Sequence, residues 1–251
     1  MKGRFNPREQ SYDAAIRADS FPLNSFLPAD SLGIVDLALQ ARGTGFDPLL
    51  PRTRTSLRAQ IGRAEFGGRD FGGIELDAEL DSQRLSGRIS DRDEALRLLL
   101  SVSGTLTERE QRIGLSGSVF GFDLAALGVS PEPISGSFAL DASASAAGKG
   151  AYAARIALDS IEIRNKHRTD RIRPTSVSMH TDSAATRAEA ASGDLSLTFS
   201  TPQSADSLIA ALTRSARTLA GQIDAQSIDM EQLKPALPDF ALRVSAGPDN
   251  I

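Results

Sequence analysis

The chain has no cysteine, no tryptophan, two tyrosines and two histidines in 251 residues. Without thiols there can be no disulfide, thiolate nucleophile, zinc–cysteine site or iron–sulfur cluster; the absence suits a reducing cytosol or a periplasmic protein that avoids stray oxidation. His167 and His180 stand apart, with no His-Glu-x-x-His pattern and no second histidine at ligand spacing, so no metal site is read from them. No apolar run approaches the roughly 18 residues of a spanning helix, and the densest, from Ala95 to Val102, is broken by Arg97 and Ser101. The opening MKGRFNPREQ has basic residues but no apolar stretch behind them, so it does not read as an export signal but as a fragment with an initiating Met in front. An excess of positive charge is missing too: 28 Lys+Arg against 32 Asp+Glu leave a net charge of −4. No basic stripe carries aromatics at stacking intervals, and nucleic acid is not an expected partner. Aromatic residues make up 5% of the chain, against 21 glycines and many alanines and serines, which argues against a core built around bulky rings. With 40% hydrophobic and 24% charged residues, disorder throughout is excluded.

What is present is alternation. Successive side chains of a strand point to opposite faces, so strict alternation gives a strand one apolar and one wet side. Ile74, Leu76, Ala78 and Leu80 alternate with Glu75, Asp77, Glu79 and Asp81. Val35, Leu37, Leu39 and Ala41 do the same, as do Leu96, Leu98, Leu100 and Val102; Phe138, Leu140, Ala142 and Ala144; and Leu195, Leu197 and Phe199. Ile113, Leu115 and Val119 fit more loosely. Turn signals lie between them, at Phe66 to Asp70, Phe71-Gly72-Gly73, Gly148-Lys149-Gly150 and Asn165-Lys166-His167, so sequential antiparallel hairpins are expected. Apolar parity switches from Ile156 and Leu158 to Ile161 and Ile163, which predicts a bulge near Asp159-Ser160. From Ser204 to Ala220 the period changes: Leu208, Ile209, Leu212, Ala216 and Leu219 fall three and four apart, which predicts one amphipathic helix.

Three short apolar turns, Phe21 to Pro28, Phe122 to Gly128 and Met230 to Pro238, recur at similar separations, each followed by an alternating segment. They suggest repeat-like units over about 12–121, 122–229 and 230–251 within one elongated domain spanning 1–251, each unit relying on its neighbours to cover its apolar face.

No catalytic motif is found. Gly148-Lys149-Gly150 fails as a phosphate loop because Ser143 stands where glycine is required and Gly150 where Ser or Thr is. The acidic row Glu75, Asp77, Glu79 and Asp81 is spread along one solvated face with nothing apolar nearby to raise a carboxyl pKa. No serine lies in Gly-x-Ser-x-Gly. No cofactor is expected and the chain is not expected to be an enzyme. The basic run Arg164, Lys166, His167, Arg168, Arg171 and Arg173 reads as a solubilising hairpin tip, with an anionic partner such as lipid headgroups as the other reading.

In the segments FPLNSFLPADSLGIVDLALQARGTGFDP, FDLAALGVSPEP and LKPALPDFALRVSAGPDN, with one-sided strands punctuated by short LxxLxP turns, the chain resembles the TamB-like (AsmA-like) translocation and assembly module proteins of the bacterial envelope, in their Bacteroidetes form. The resemblance covers essentially the whole chain and implies an internal fragment of a much longer periplasmic protein, whose N-terminal inner-membrane anchor and C-terminal domain lie outside this sequence. It implies a mainly β fold: an elongated, curved antiparallel sheet forming a U-shaped apolar groove, with one amphipathic helix and short helical turns. It further implies that the groove conducts phospholipid between inner and outer membranes, supports outer-membrane protein assembly, or both, with an outer-membrane barrel protein as a further partner through the missing C-terminal region. The residues that would line such a groove are Val35, Leu37, Leu39, Ile74, Leu76, Leu80, Leu98, Leu100, Val102, Phe138, Leu140, Leu195, Leu197 and Phe199. An interior of small residues is underfilled, and an acyl chain moved into it from water gains roughly 0.8 kcal/mol per methylene. Alternation alone leaves other arrangements open: a β-sandwich or closed barrel with a dry core, a structural solenoid that binds protein partners, or a subunit of a larger envelope assembly that touches lipid only incidentally.

Overall fold

A computed structural model describes residues 2–22, 32–66, 69–148, 150–224, 229, 231 and 238–248. The protein is mainly β, with 66% strand. The strands are β1 (Lys2–Asn6), β2 (Ser11–Pro22), β3 (Leu32–Thr44), β4 (Arg54–Phe66), β5 (Arg69–Phe71), β6 (Ile74–Asp81), β7 (Arg84–Arg92), β8 (Leu96–Leu106) and β9 (Glu110–Asp123). They continue as β10 (Ser135–Ala147), β11 (Ala151–Arg164), β12 (Thr169–Ile172), β13 (Thr175–Thr181), β14 (Thr186–Ser192) and β15 (Leu195–Thr201), then helix α1 (Ala205–Asp224) and β16 (Ala241–Ser245).

The chain divides into two compact units, Met1–Ser143 with Ala157–Pro174, and Ala144–Ile156 with Thr175–Ile251. In the first, the hydrogen-bonded order follows the sequence from β1 through β4, then β6 through β10 and β11, with β5 beside β4 and β12 beside β11. In the second, the order runs from the β10 and β11 portions through β13, β14 and β15 to β16. The sheet is not closed: β1 pairs with β2 alone and β16 with β15 alone.

Register decides which residues share a face, because directly paired residues point the same way. Ala59 pairs with Leu76, Leu76 with Ile89 and Ile89 with Leu100, so four strands contribute to one apolar row. On the opposite face Arg42 reaches Asp13 at 2.8 Å, Arg58 reaches Asp77 at 2.6 Å and Arg54 reaches Asp81 at 2.9 Å. Bulges keep the faces separate. Between β2 and β3 the register shifts between Ala18 and Phe21, where Ser20 takes a left-handed φ of 53° and its N–H donates to Asp36 Oδ1 at 2.5 Å. The same backbone excursion occurs at Ser160, φ 51°, where the parity of β11 changes: Ile156 is exposed and Ile161 buried. The hairpin between β6 and β7 turns through Ser82 and Gln83, both left-handed, in the sense of a type I′ turn.

The turn after β9 is built by Asp123, whose Oδ1 accepts from the N–H groups of Ala125 at 2.9 Å and Ala126 at 3.0 Å. The corresponding turns near Leu23 and Leu233, and Lys149 of the glycine-flanked hairpin, lie outside the described residues.

In the second unit Thr181 pairs with Thr186 and Thr186 with Thr201, placing three buried threonines in one row across β13, β14 and β15. The Thr186 hydroxyl donates to the Gln203 carbonyl at 2.8 Å, and that of Thr201 to the Asp239 carbonyl at 2.6 Å. Since Thr186 has spent its single proton, Thr181 donates to it at 2.8 Å and accepts from the Ala205 N–H at 3.0 Å. The row thus fixes both the start of α1 and the approach to β16. Helix α1 begins where the sequence places it, with Ser204 Oγ accepting from the Ser207 N–H at 3.3 Å and Asp206 in the first turn. It runs four residues beyond the expected end, to Asp224, and buries Ala211, Ser215 and Gln222 at helical spacing.

Candidate functional site

The apolar face of the first unit is the surface to which the sequence directs attention. Leu80 and Leu100 are buried there, while Val35, Leu37, Leu39, Ile74, Leu76, Leu98, Val102, Phe138 and Leu140 are half-buried. Direct pairing unites most of them: Leu39 with Ala59, Ala59 with Leu76, Ile61 with both Leu37 and Ile74, and Gly87 with Val102. Phe138 reaches the same side through Phe122, whose ring is 6.0 Å away and whose backbone pairs with Leu96. Leu195, Leu197 and Phe199 belong to the second unit, where they share a face with Val177 and Met179 of β13 and Leu242 and Val244 of β16. That face is open: Leu195 and Leu197 are 41% and 38% exposed, and Val177, Leu242 and Val244 are more exposed still.

A cavity of about 750 Å³ lies on the apolar face of the first unit, at a row the periodicity does not single out. Phe5 pairs with Tyr12, Tyr12 with Gly43, Gly43 with Thr55 and Thr55 with Leu80, and all five line it. The Tyr12 ring stacks on Phe46, centroids 5.7 Å apart, and Phe46 lies 5.6 Å from Phe5. Glycine is required at 43 because a Cβ there would come 2.6 Å from the Tyr12 hydroxyl and closer still to the Arg54 carbonyl. That missing side chain lets Tyr12 reach across β3 and hydrogen-bond Thr55 Oγ1 at 2.7 Å, which gives the polar tip of the ring a partner.

One carboxylate sits on the apolar side. Asp91 pairs with Leu98, is 5% exposed and accepts from the Asp93 N–H at 2.9 Å. Burial pushes its carboxyl above the ordinary aspartate value and the charge of Asp93 adds to this, while the backbone hydrogen bonds work against it. Asp91 closes the β7–β8 turn rather than offering a reactive group, since Asp93 in turn accepts from the Ala95 N–H at 2.7 Å.

Four side chains of the basic hairpin lie against carboxylates. Arg164 pairs with Glu162 at 3.1 Å, Lys166 with Glu132 at 3.6 Å and Arg168 with Asp170 at 2.8 Å, and Arg171 lies 3.9 Å from Glu162. Asn165 Oδ1 accepts from the N–H groups of His167 and Arg168, both at 2.9 Å, which makes His167 a turn residue. Among the described residues no group of three or more acidic or histidine side chains is placed to hold a metal ion, and no helix is long and apolar enough to cross a membrane.

Comparison of the chain with family models, with curated proteins and with solved structures finds no match.

Proposed function

We propose that this chain is a segment of a periplasm-spanning envelope protein whose apolar sheet face carries phospholipid acyl chains between the inner and outer membranes, a role that can also serve outer-membrane protein assembly. The observation that carries the reading is a continuous apolar face that is not filled. Strand after strand presents Leu, Ile, Val, Ala or Gly to one side, and a cavity of about 750 Å³ remains on that side. This lies in the range, roughly 300 to 1,000 Å³, of pockets that hold small apolar ligands. The row Ala59, Leu76, Ile89 and Leu100 offers an acyl chain apolar sites on successive strands with no charged side chain among them. The charged face supplies the solvated exterior. The exposed side chains of Val177, Leu242 and Val244 weigh against a dry sandwich, in which they would be covered.

The test is to incubate the full chain with vesicles of phosphatidylethanolamine and phosphatidylglycerol, re-isolate it and read its mass under native conditions. Retained phospholipid is expected, together with photo-crosslinking to acyl chains from probes at Leu39 and Leu76 but not at Glu75. In Leu140→Arg, at a half-buried position, the long side chain can carry its charge to water, so the fold should persist while lipid is lost. A lipid-free wild type, or equal labelling from Leu76 and Glu75, would overturn the reading.

A further inference from the structure

The charged face of the first unit carries two apolar side chains that its pattern does not account for: Leu99 is 40% exposed and Phe120 58%. Their position has a structural cause. Between β8 and β9 the pairing passes from Arg97 with Gly121 to Leu98 with Val119, which leaves Phe120 as the extra residue of a bulge, turned to solvent. Leu99 is its near neighbour on β8, at the parity opposite to Leu98 and Leu100. Both line a cleft of about 530 Å³ with Arg88, Ser90, Arg92 and Arg97. Ser90 pairs with Leu99, so a small side chain stands where a larger one would fill the space.

The charges of this cleft are unbalanced. Arg92 and Arg97 face each other directly across the β7–β8 ladder, a like-charge pair that opposes folding unless something stands between them. None of Arg88, Arg92 and Arg97 makes an ion pair among the described residues. Of the three carboxylates that line the cleft, Asp77 is engaged by Arg58 at 2.6 Å and Asp91 is buried, so Glu75 is the exposed one left against three guanidiniums. Gly121 opposite Arg97 leaves room for it: a Cβ there would lie 3.0 Å from Arg97 Nη2.

We infer that this cleft docks an acidic segment of a partner protein, one that sets an aliphatic or aromatic side chain on Phe120 and Leu99 and a neighbouring carboxylate between Arg92 and Arg97. The planar guanidinium forks match a carboxylate in bidentate fashion, and Arg with exposed aromatics is the composition from which interface energy is drawn. A peptide is favoured over an anionic bilayer because Glu75, Asp77 and Glu79 are spread across the same face and repel a charged surface laid over it, whereas a single carboxylate of a short segment can be seated at the facing Arg92 and Arg97. The site lies on the face opposite the proposed lipid surface and does not depend on it.

The probe is a displayed library of random peptides selected on the full chain, with the Arg92→Gln/Arg97→Gln double variant as counter-selection. The expected result is enrichment of peptides with Asp or Glu within two positions of Leu, Phe or Trp. Their affinity should fall about tenfold or more in the double variant and in Phe120→Ser, as for loss of an interface anchor, and should weaken with salt. Both variants alter exposed positions, and an unchanged circular dichroism melt verifies their fold. No enrichment, enrichment of peptides lacking carboxylates, or equal binding to wild type and both variants would overturn the inference. So would flotation with phosphatidylglycerol vesicles that depends on Arg92 and Arg97 in the absence of peptide selection, which would assign the cleft to a membrane surface.

Discussion

A single hydroxyl at Thr181 serves two elements at once, donating to Thr186 and accepting from the first N–H of α1. Thr181→Val preserves shape but leaves the Ala205 N–H and the Thr186 oxygen short of partners. The expected loss is about 1–3 kcal/mol in urea unfolding, with Thr181→Ser recovering most of it; a valine variant as stable as wild type would refute the role. Asp91 makes the opposite kind of case, because its carboxyl lies above its ordinary value for burial first and for Asp93 second. The folded chain therefore holds this proton more tightly than the unfolded chain does. Its contribution to stability is present at low pH and is lost as pH rises from the unfolded value of 3.8 through the higher folded one. Asp91→Asn keeps the Oδ1 acceptor for the Asp93 N–H and removes the ionisation. Relative to wild type the variant should gain stability as pH rises through that window and hold the gain to neutrality, read from urea midpoints across the range. A gain confined to acid pH would contradict the burial argument.

Among the strands, β9 depends most on one glycine. Gly117 has a φ of 152°, and a Cβ there would meet the Leu99 carbonyl and lie 2.9 Å from Leu100 Cα. Gly117→Ala should cost about 1–3 kcal/mol in thermal or urea unfolding, because neither the conformation nor the space suits a side chain. By contrast Asp77→Asn, which releases the exposed Arg58 pair, should leave the urea midpoint essentially unchanged. The same contrast explains how far each strand was legible. β6 could be read from Ile74, Leu76, Ala78 and Leu80 because large apolar and acidic residues alternate without interruption. β7 and β14 were missed: their inward positions include Gly87, Ala188 and Ala190, and small residues give periodicity little amplitude. The β6–β7 turn was missed as well, since Ser82 and Gln83 adopt left-handed backbone without a glycine to announce it. The cavity row Phe5, Tyr12, Gly43, Thr55 and Leu80 was not legible either. It exists only through the register of five strands, and alternation within any one strand carries no register.

For the molecule as a whole, stability is distributed unevenly. Leu80, Leu100 and Val119 are buried on β6, β8 and β9, whereas every residue of β16 is exposed. Amide exchange should be slowest in β6 through β9 and fastest in β16; uniform protection would show that β16 is held by more than its pairing with β15. Phospholipid that binds only the folded chain should raise unfolding free energy by about 2.7 kcal/mol at a hundredfold excess over its dissociation constant. A melting temperature indifferent to lipid would leave the open apolar face without a ligand. Sequential pairing also has a bearing on how such a chain can change over generations. Removing β6 and β7 together would bring β4 against β8 still antiparallel, joined by an ordinary turn. Removing either one alone would require parallel neighbours, which a short turn cannot connect. Reach is therefore inherited in whole hairpins, each adding about 9.5 Å across the strands, and a gene of this kind can be lengthened or trimmed to a given gap by counting in twos.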